Sequence, residues 1–177
     1  MRKIWMPIVS LLLAAIVLLG AYNLTLDIRR ANAQKELQAK METLLPGSTT
    51  FTEEAYTGED ANIAFVYKGE TGYVIGTSTA GYAGTIRMLI GVSNDGYVTG
   101  LQVRQMEETF GLGAEALTDW QFLAQFLRTE GDAAVGENID AITGATVTSK
   151  AITRCVNSAV AFVTGTDVDS GATSWGG

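Results

Sequence analysis

From Ile4 to Tyr22 the chain carries no charged side chain and consists mainly of Leu, Ile, Val and Ala. As a helix rising about 1.5 Å per residue, these 19 residues span about 28 Å, close to the roughly 30 Å of bilayer hydrocarbon. In that medium every backbone N–H and C=O needs an internal partner, and a single segment meets this demand only as an α-helix. Residues 1–29 are therefore expected to form an N-terminal transmembrane anchor. Ala31-Asn32-Ala33 offers the small-x-small pattern of a signal-peptidase site, but it lies past the charged Asp27-Ile28-Arg29-Arg30, so an uncleaved anchor is the expectation. The charges do not orient the helix, since Arg2 and Lys3 on one side face Arg29, Arg30 and Lys35 on the other.

In a chain of 177 residues this anchor leaves room for one domain of ordinary size. Between Arg30 and Leu45, Ala33, Leu37, Met41, Leu44 and Leu45 alternate at helical spacing with Lys35, Glu36, Lys40 and Glu42 until Pro46-Gly47, which suggests a stalk helix over 30–47. The pattern then becomes strand-like. Asn62–Lys68 and Tyr73–Thr77 flank the turn-forming Gly69-Glu70-Thr71-Gly72, and Thr85–Val92 and Tyr97–Arg104 flank Ser93-Asn94-Asp95-Gly96, so two hairpins are expected. Thr118, three residues before Gln121 as in a capping box, predicts a helix that buries Phe122, Leu123, Phe126 and Leu127 and stops at Gly131. A last helix is predicted from Ser149 to Val163, with Ile152, Cys155, Val156, Ala159, Val160 and Val163 on its apolar stripe. Hairpins interleaved with helices point to an α+β domain over 48–164, an antiparallel sheet with packed helices, followed by a flexible Gly/Ser/Thr/Asp-rich tail over 165–177.

Several classes of chemistry are excluded by what the sequence lacks. It contains no histidine and one cysteine, so it cannot build an iron–sulfur cluster, a usual zinc or haem site, or a Ser-His-Asp or Cys-His centre from its own side chains. Cys155 reads as a small apolar residue on a helix face. Beyond Lys3 ten basic side chains stand against nineteen acidic ones, which argues against nucleic acid as a partner, because phosphate binding needs Lys and Arg to release counterions.

The segment richest in chemical possibility is Asp140-Ala141-Ile142-Thr143-Gly144-Ala145-Thr146-Val147-Thr148-Ser149-Lys150, which opens into the last helix. Amides in a first helical turn lack internal partners and carry the positive end of the helix dipole, so they hold an anion well. Gly144 and Ala145 leave the backbone accessible, and the hydroxyls of Thr148 and Ser149 with the ammonium of Lys150 complete a possible phosphate cradle. The same residues read equally as an ordinary N-cap after an ordinary turn. On residue chemistry alone, a reversible site for a phosphorylated ligand and a purely structural loop both stay open.

Asp140-x-x-Thr143-Gly144-Ala145-Thr146, followed by x-Thr148-Ser149, resembles the flavinylation motif of the FMN-binding domain family at every fixed position. The resemblance implies a flavin mononucleotide joined through its phosphate to Thr146 by a separate flavin transferase that cleaves FAD. Glu108-Thr109-Phe110-Gly111-Leu112-Gly113 is similar to the family's Glu-Thr-Pro-Gly-Leu-Gly loop, which packs on the flavin; Phe110 stands where proline is usual and adds an aromatic ring. With one N-terminal helix and both patches in order, the chain is similar to the G-subunit branch of the family, found in Rnf-type ion-translocating ferredoxin:NAD⁺ oxidoreductase complexes. The C-subunit branch of sodium-translocating NADH:quinone reductases, usually longer, is a second resemblance. Either implies an electron carrier in the cytoplasmic membrane, its domain on the extracytoplasmic side and its partners the other membrane subunits. Neither implies a side chain acting as catalytic acid, base or nucleophile toward a metabolite.

Overall fold

The computed structural model describes residues 5–106 and 118–166. Helix α1 runs from Trp5 to Leu44, and its stretch from Val9, with a mean hydropathy of 2.1, is long and apolar enough to cross a membrane. Leu11, Leu12, Leu13, Ile16, Val17, Leu18 and Leu19 are all exposed, as the side chains of a lipid-facing helix are. The helix runs on without a break through the residues expected to form the stalk. The chain divides into two compact units, residues 1–39 and 40–177, so the last turn of α1 belongs to the globular unit.

That unit is built on a five-stranded antiparallel meander in the order β1 (Thr52–Glu54), β2 (Ile63–Lys68), β3 (Gly72–Ala80), β4 (Thr85–Ser93) and β5 (Val98–Met106). Both expected hairpins are present, at the expected turns. Gly69 N donates to Gly72 O at 2.8 Å in the first; in the second Gly96 takes φ +87° and its N donates to Ser93 O at 2.9 Å. Strand β1 was not expected, since Thr52-Glu53-Glu54 is too short and too charged to show alternation, and pairing with β2 makes it a strand.

Two short-range expectations are corrected. Helix α2 spans Trp120–Ala124, and its cap is Asp119 rather than Thr118: Asp119 Oδ1 accepts from Gln121 N at 2.8 Å and Phe122 N at 3.2 Å. A carboxylate one residue nearer the helix reaches the same amides and adds a favourable charge at the dipole's positive end. The helix ends at Ala124 rather than running to Gly131; a turn follows, and Arg128 takes φ +71°. Arg128 N donates to Val98 O at 3.0 Å and Val98 N to Thr129 O at 3.2 Å, so pairing with the start of β5 overrides the steric cost of a left-handed arginine. This exit leaves Leu127 exposed, while Phe122 and Phe126 are buried as expected.

Helix α3 spans Thr146–Thr164 and lies on one face of the sheet, chiefly against β3 and β4. Ile152, Cys155, Val156, Ala159 and Val160 of its predicted stripe are fully buried against Ile75, Ile86, Met88, Ile90 and Val92 of the strands, with Phe122 and Phe126 in the same cluster. Each large side chain so buried is worth roughly 1.5–3 kcal/mol. On the other face, Leu44 and Leu45 are buried where α1 ends, and Thr99 Oγ1 donates to Leu44 O at 2.6 Å. Gly91 permits this approach, because a Cβ there would strike the Leu44 carbonyl.

Burial pushes the Cys155 thiol up to about 11, with the neighbouring Thr77 hydroxyl pulling the other way. An acid whose pKa is raised by folding stays protonated through neutral pH, and the stability this lends is lost only as pH climbs from about 9 through 11. At pH 8, native protein should therefore resist a thiol-reactive dye that labels the denatured chain at once; prompt labelling of the native state would contradict this burial.

Candidate functional site

The approach to the motif is held by two side-chain amides. Asn157, buried in α3, accepts from Ala133 N at 3.2 Å and donates to Ala133 O at 2.9 Å. Gln125, just past α2, accepts from Asp140 N at 2.8 Å and donates to Asp140 O at 3.3 Å. Each amide acts as one rung of a strand ladder, and together they fix the chain at both ends of 133–140. The Asp140 side chain is exposed.

A turn then links this segment to α3. Ala145 N donates to Ile142 O at 2.9 Å, and Gly144 takes φ +79° at the third position, as a type II turn requires. Thr143 and Gly144 are exposed on the turn. Ala145 is the N-cap of α3 and has no side-chain hydroxyl to satisfy the first-turn amides. The N–H groups of Thr146, Val147 and Thr148 therefore have no partner within the helix and no side-chain cap.

The helix thus begins at Thr146, three residues ahead of the predicted start, which changes the setting of the two hydroxyls expected to precede it. Ser149 is fully buried; its Oγ donates to Ala145 O at 3.0 Å and accepts from Ile142 N at 3.4 Å, tying the turn to the helix. Thr148 is also fully buried, and its Oγ1 has no hydrogen-bond partner among the described residues. Thr146, two residues earlier, is exposed, and so is Lys150, one turn further along the same helix face. Glu108, Thr109, Phe110, Leu112 and Gly113 lie outside the described residues.

Gly144, Ala145, Thr146, Val147 and Thr148 line a cleft of about 190 Å³, with Tyr82 of the β3–β4 turn as its remaining wall. None of these six residues is charged; the helix dipole contributes about half a positive charge at this end, and the Lys150 ammonium stands one turn further on. An uncapped helix start, an orphaned buried hydroxyl and a cleft at an exposed threonine fit the phosphate end of FMN. The cleft, well under the roughly 300 Å³ of a small-molecule pocket, leaves the ring system at or beyond its rim. If the Thr148 hydroxyl waits for an anion, Thr148→Val should stabilise the flavin-free chain by about 1 kcal/mol, relieving an unsatisfied buried polar group. A lower melting temperature for that variant would refute the idea.

Sequence reading missed Tyr82, Val147, Gln125 and Asn157. A large aromatic between glycines in Gly81-Tyr82-Ala83-Gly84, and an amide inside the apolar face of the last helix, were the available signals.

The uncapped helix start and its cleft suit a phosphate, and residues 81–161 match the family model described as FMN-binding domain. The chain is 33% identical to the G-subunit of the Na(+)-translocating ferredoxin:NAD(+) oxidoreductase complex of Acetobacterium woodii, over 86% of each chain. It is 33% identical to the G-subunit of the ion-translocating oxidoreductase complex of Methanosarcina acetivorans, over 89% of this chain and 90% of the relative. With the G-subunit of the proton-translocating ferredoxin:NAD(+) oxidoreductase complex of Clostridium ljungdahlii it shares 32% identity over 88% of this chain and 87% of the relative. The chain belongs to the G-subunit family of ion-translocating oxidoreductase complexes, whose cofactor domain binds FMN.

Proposed function

We propose that this chain is a membrane-anchored electron carrier of an Rnf-type ion-translocating ferredoxin:NAD⁺ oxidoreductase complex, with FMN covalently bound through its phosphate to Thr146. The carrying observation is the cleft at the start of α3, where an exposed threonine hydroxyl stands beside uncapped amides and the orphaned Thr148 hydroxyl. FMN, when bound, supplies one- and two-electron redox chemistry to a chain without histidine and with a single buried thiol.

In maturation, Thr146 Oγ1 attacks the riboflavin-side phosphorus of FAD on a flavin transferase. A phosphoester bond forms, the phosphoanhydride bond to AMP breaks, and the hydroxyl proton is lost to a base of the transferase or solvent, with no change of oxidation state. The chain's own part is to present that hydroxyl on a rigid helix start. The first-turn amides and Thr148 Oγ1 would hold the phosphate oxygens, Gly144 and Ala145 would allow the backbone close approach, Lys150 would add a cationic charge one turn on, and Ser149 and Gln125 keep the turn in shape. Thr143 and Asp140 occupy the motif's remaining fixed positions, and the family resemblance implies that Glu108, Thr109, Leu112 and Gly113 belong to the segment that would meet the ring.

A covalent tether keeps the cofactor attached while partners are exchanged and keeps its effective concentration beside them high. The domain faces the extracytoplasmic side, as the family resemblance implies, and its neighbours are other membrane subunits of the complex. A net charge of −7 disfavours direct docking of an acidic ferredoxin. The decisive experiment is mass spectrometry of the Asp140–Lys150 peptide from a host that has the transferase. An added FMN less water on Thr146 is the expected result; an unmodified peptide from yellow, active membranes would refute the tether.

A further inference from the structure

We infer that Tyr82 is the stacking residue of the flavin site, standing against the isoalloxazine ring of FMN tethered at Thr146; this rests on the function proposed above. Tight turns usually carry small or polar residues at their tips. Here the turn between β3 and β4, closed by Gly81 N donating to Gly84 O at 2.7 Å, presents a tyrosine that is 75% exposed. That ring forms a wall of the cleft that Thr146 also lines, so its apolar face is available to a flat group carried by the threonine.

The position of the turn is fixed from two sides. The β3–β4 register runs unbroken to Ala80↔Thr85, so the turn has no slack on the sheet side. From α3, Arg154 Nη2 donates to Ala80 O at 3.3 Å, tying the end of β3 to the helix that carries Thr146. Tyr82 and the tether point are thereby parts of one framework.

Size then decides which part of the cofactor meets the ring. A cleft of about 190 Å³ takes the phosphate and the start of the ribityl chain, and the flat ring system must emerge at its rim, where Tyr82 stands. An aromatic pair of this kind shifts the ratio of stacked to unstacked ring by roughly 2- to 12-fold. A phenol stacked on oxidised flavin quenches its fluorescence by electron transfer, and an electron-rich ring beside the isoalloxazine favours the oxidised form over the anionic reduced one.

The test uses full-length flavinylated protein in detergent and compares the parent with Tyr82→Leu and Tyr82→Phe. Thermal unfolding and the mass of the flavin peptide serve as controls, since an exposed turn residue should affect neither. Fluorescence of the attached flavin should rise by roughly 2- to 12-fold in Tyr82→Leu, with a higher midpoint potential. Tyr82→Phe should also brighten, having lost the easily oxidised phenol, but should keep the parent's potential because the ring still stacks. Unchanged emission and potential in a fully flavinylated Tyr82→Leu protein would overturn the role of Tyr82 alone. An adduct missing from the parent would overturn the covalent reading and this inference together.

Discussion

Replacing Thr146 by alanine should leave a folded, colourless chain. The residue is exposed at the first position of α3, its hydroxyl caps nothing, and alanine is the better helix former there, so the change in stability should stay within about 0.5 kcal/mol. The covalent adduct, by contrast, should vanish completely, and with it the fluorescent band on a denaturing gel and electron transfer through the complex. Thr146→Ser keeps a nucleophilic oxygen and should recover some adduct. The contrast with Thr148→Val is informative, since that hydroxyl is buried two residues away and faces no incoming enzyme. An adduct that persists in Thr146→Ala, on Thr143 or Thr148, would move the attachment point and end the reading of Thr146. An adduct lost together with the fold would instead mean that Thr146 has a structural part the described contacts do not reveal.

Much of this arrangement was legible in the sequence, for identifiable reasons. The anchor follows from length and the absence of charge. The central hairpins follow from Gly-containing turns between β-prone runs, and the last helix from a stripe at three- and four-residue steps. What could not be read depends on partners distant in sequence. Strand β1 exists because β2 offers an edge to pair with, and Arg128 is left-handed because Val98 captures its amide. The capping residue of α2 was misassigned by one position because Thr118 and Asp119 are both good caps and the tertiary setting chooses between them. The motif was recognisable as a pattern, but the pattern did not say which of its hydroxyls is exposed. Thr146 faces out while Thr148 and Ser149 are buried, because the helix starts three residues earlier than its apolar stripe suggests. Nor did it say that Tyr82, more than sixty residues upstream, would share the cleft.

The second large effect should come from a residue that never touches the site. Helix α2 has five residues, far below the roughly 12–15 that an isolated helix needs, so its burial must hold it in place. Phe126 is fully buried and meets Phe122 edge to face, with centroids 5.3 Å apart at 86°. Phe126→Ala should destabilise the domain by about 3–5 kcal/mol, a third or more of a typical domain's margin, and lower its melting temperature by roughly 10–20 °C. The neighbouring Leu127→Ala, at a position 45% exposed, should cost less than about 1 kcal/mol. The loss at Phe126 should also reach the motif, because Gln125, the residue before it, grips both backbone groups of Asp140. Faster hydrogen exchange at the Asp140 amide under conditions where the variant is still folded would report that loosened grip. Equal destabilisation by the two alanines, or an Asp140 amide that exchanges at the parent's rate, would show that the packing of α2 and the shape of the flavin turn are independent.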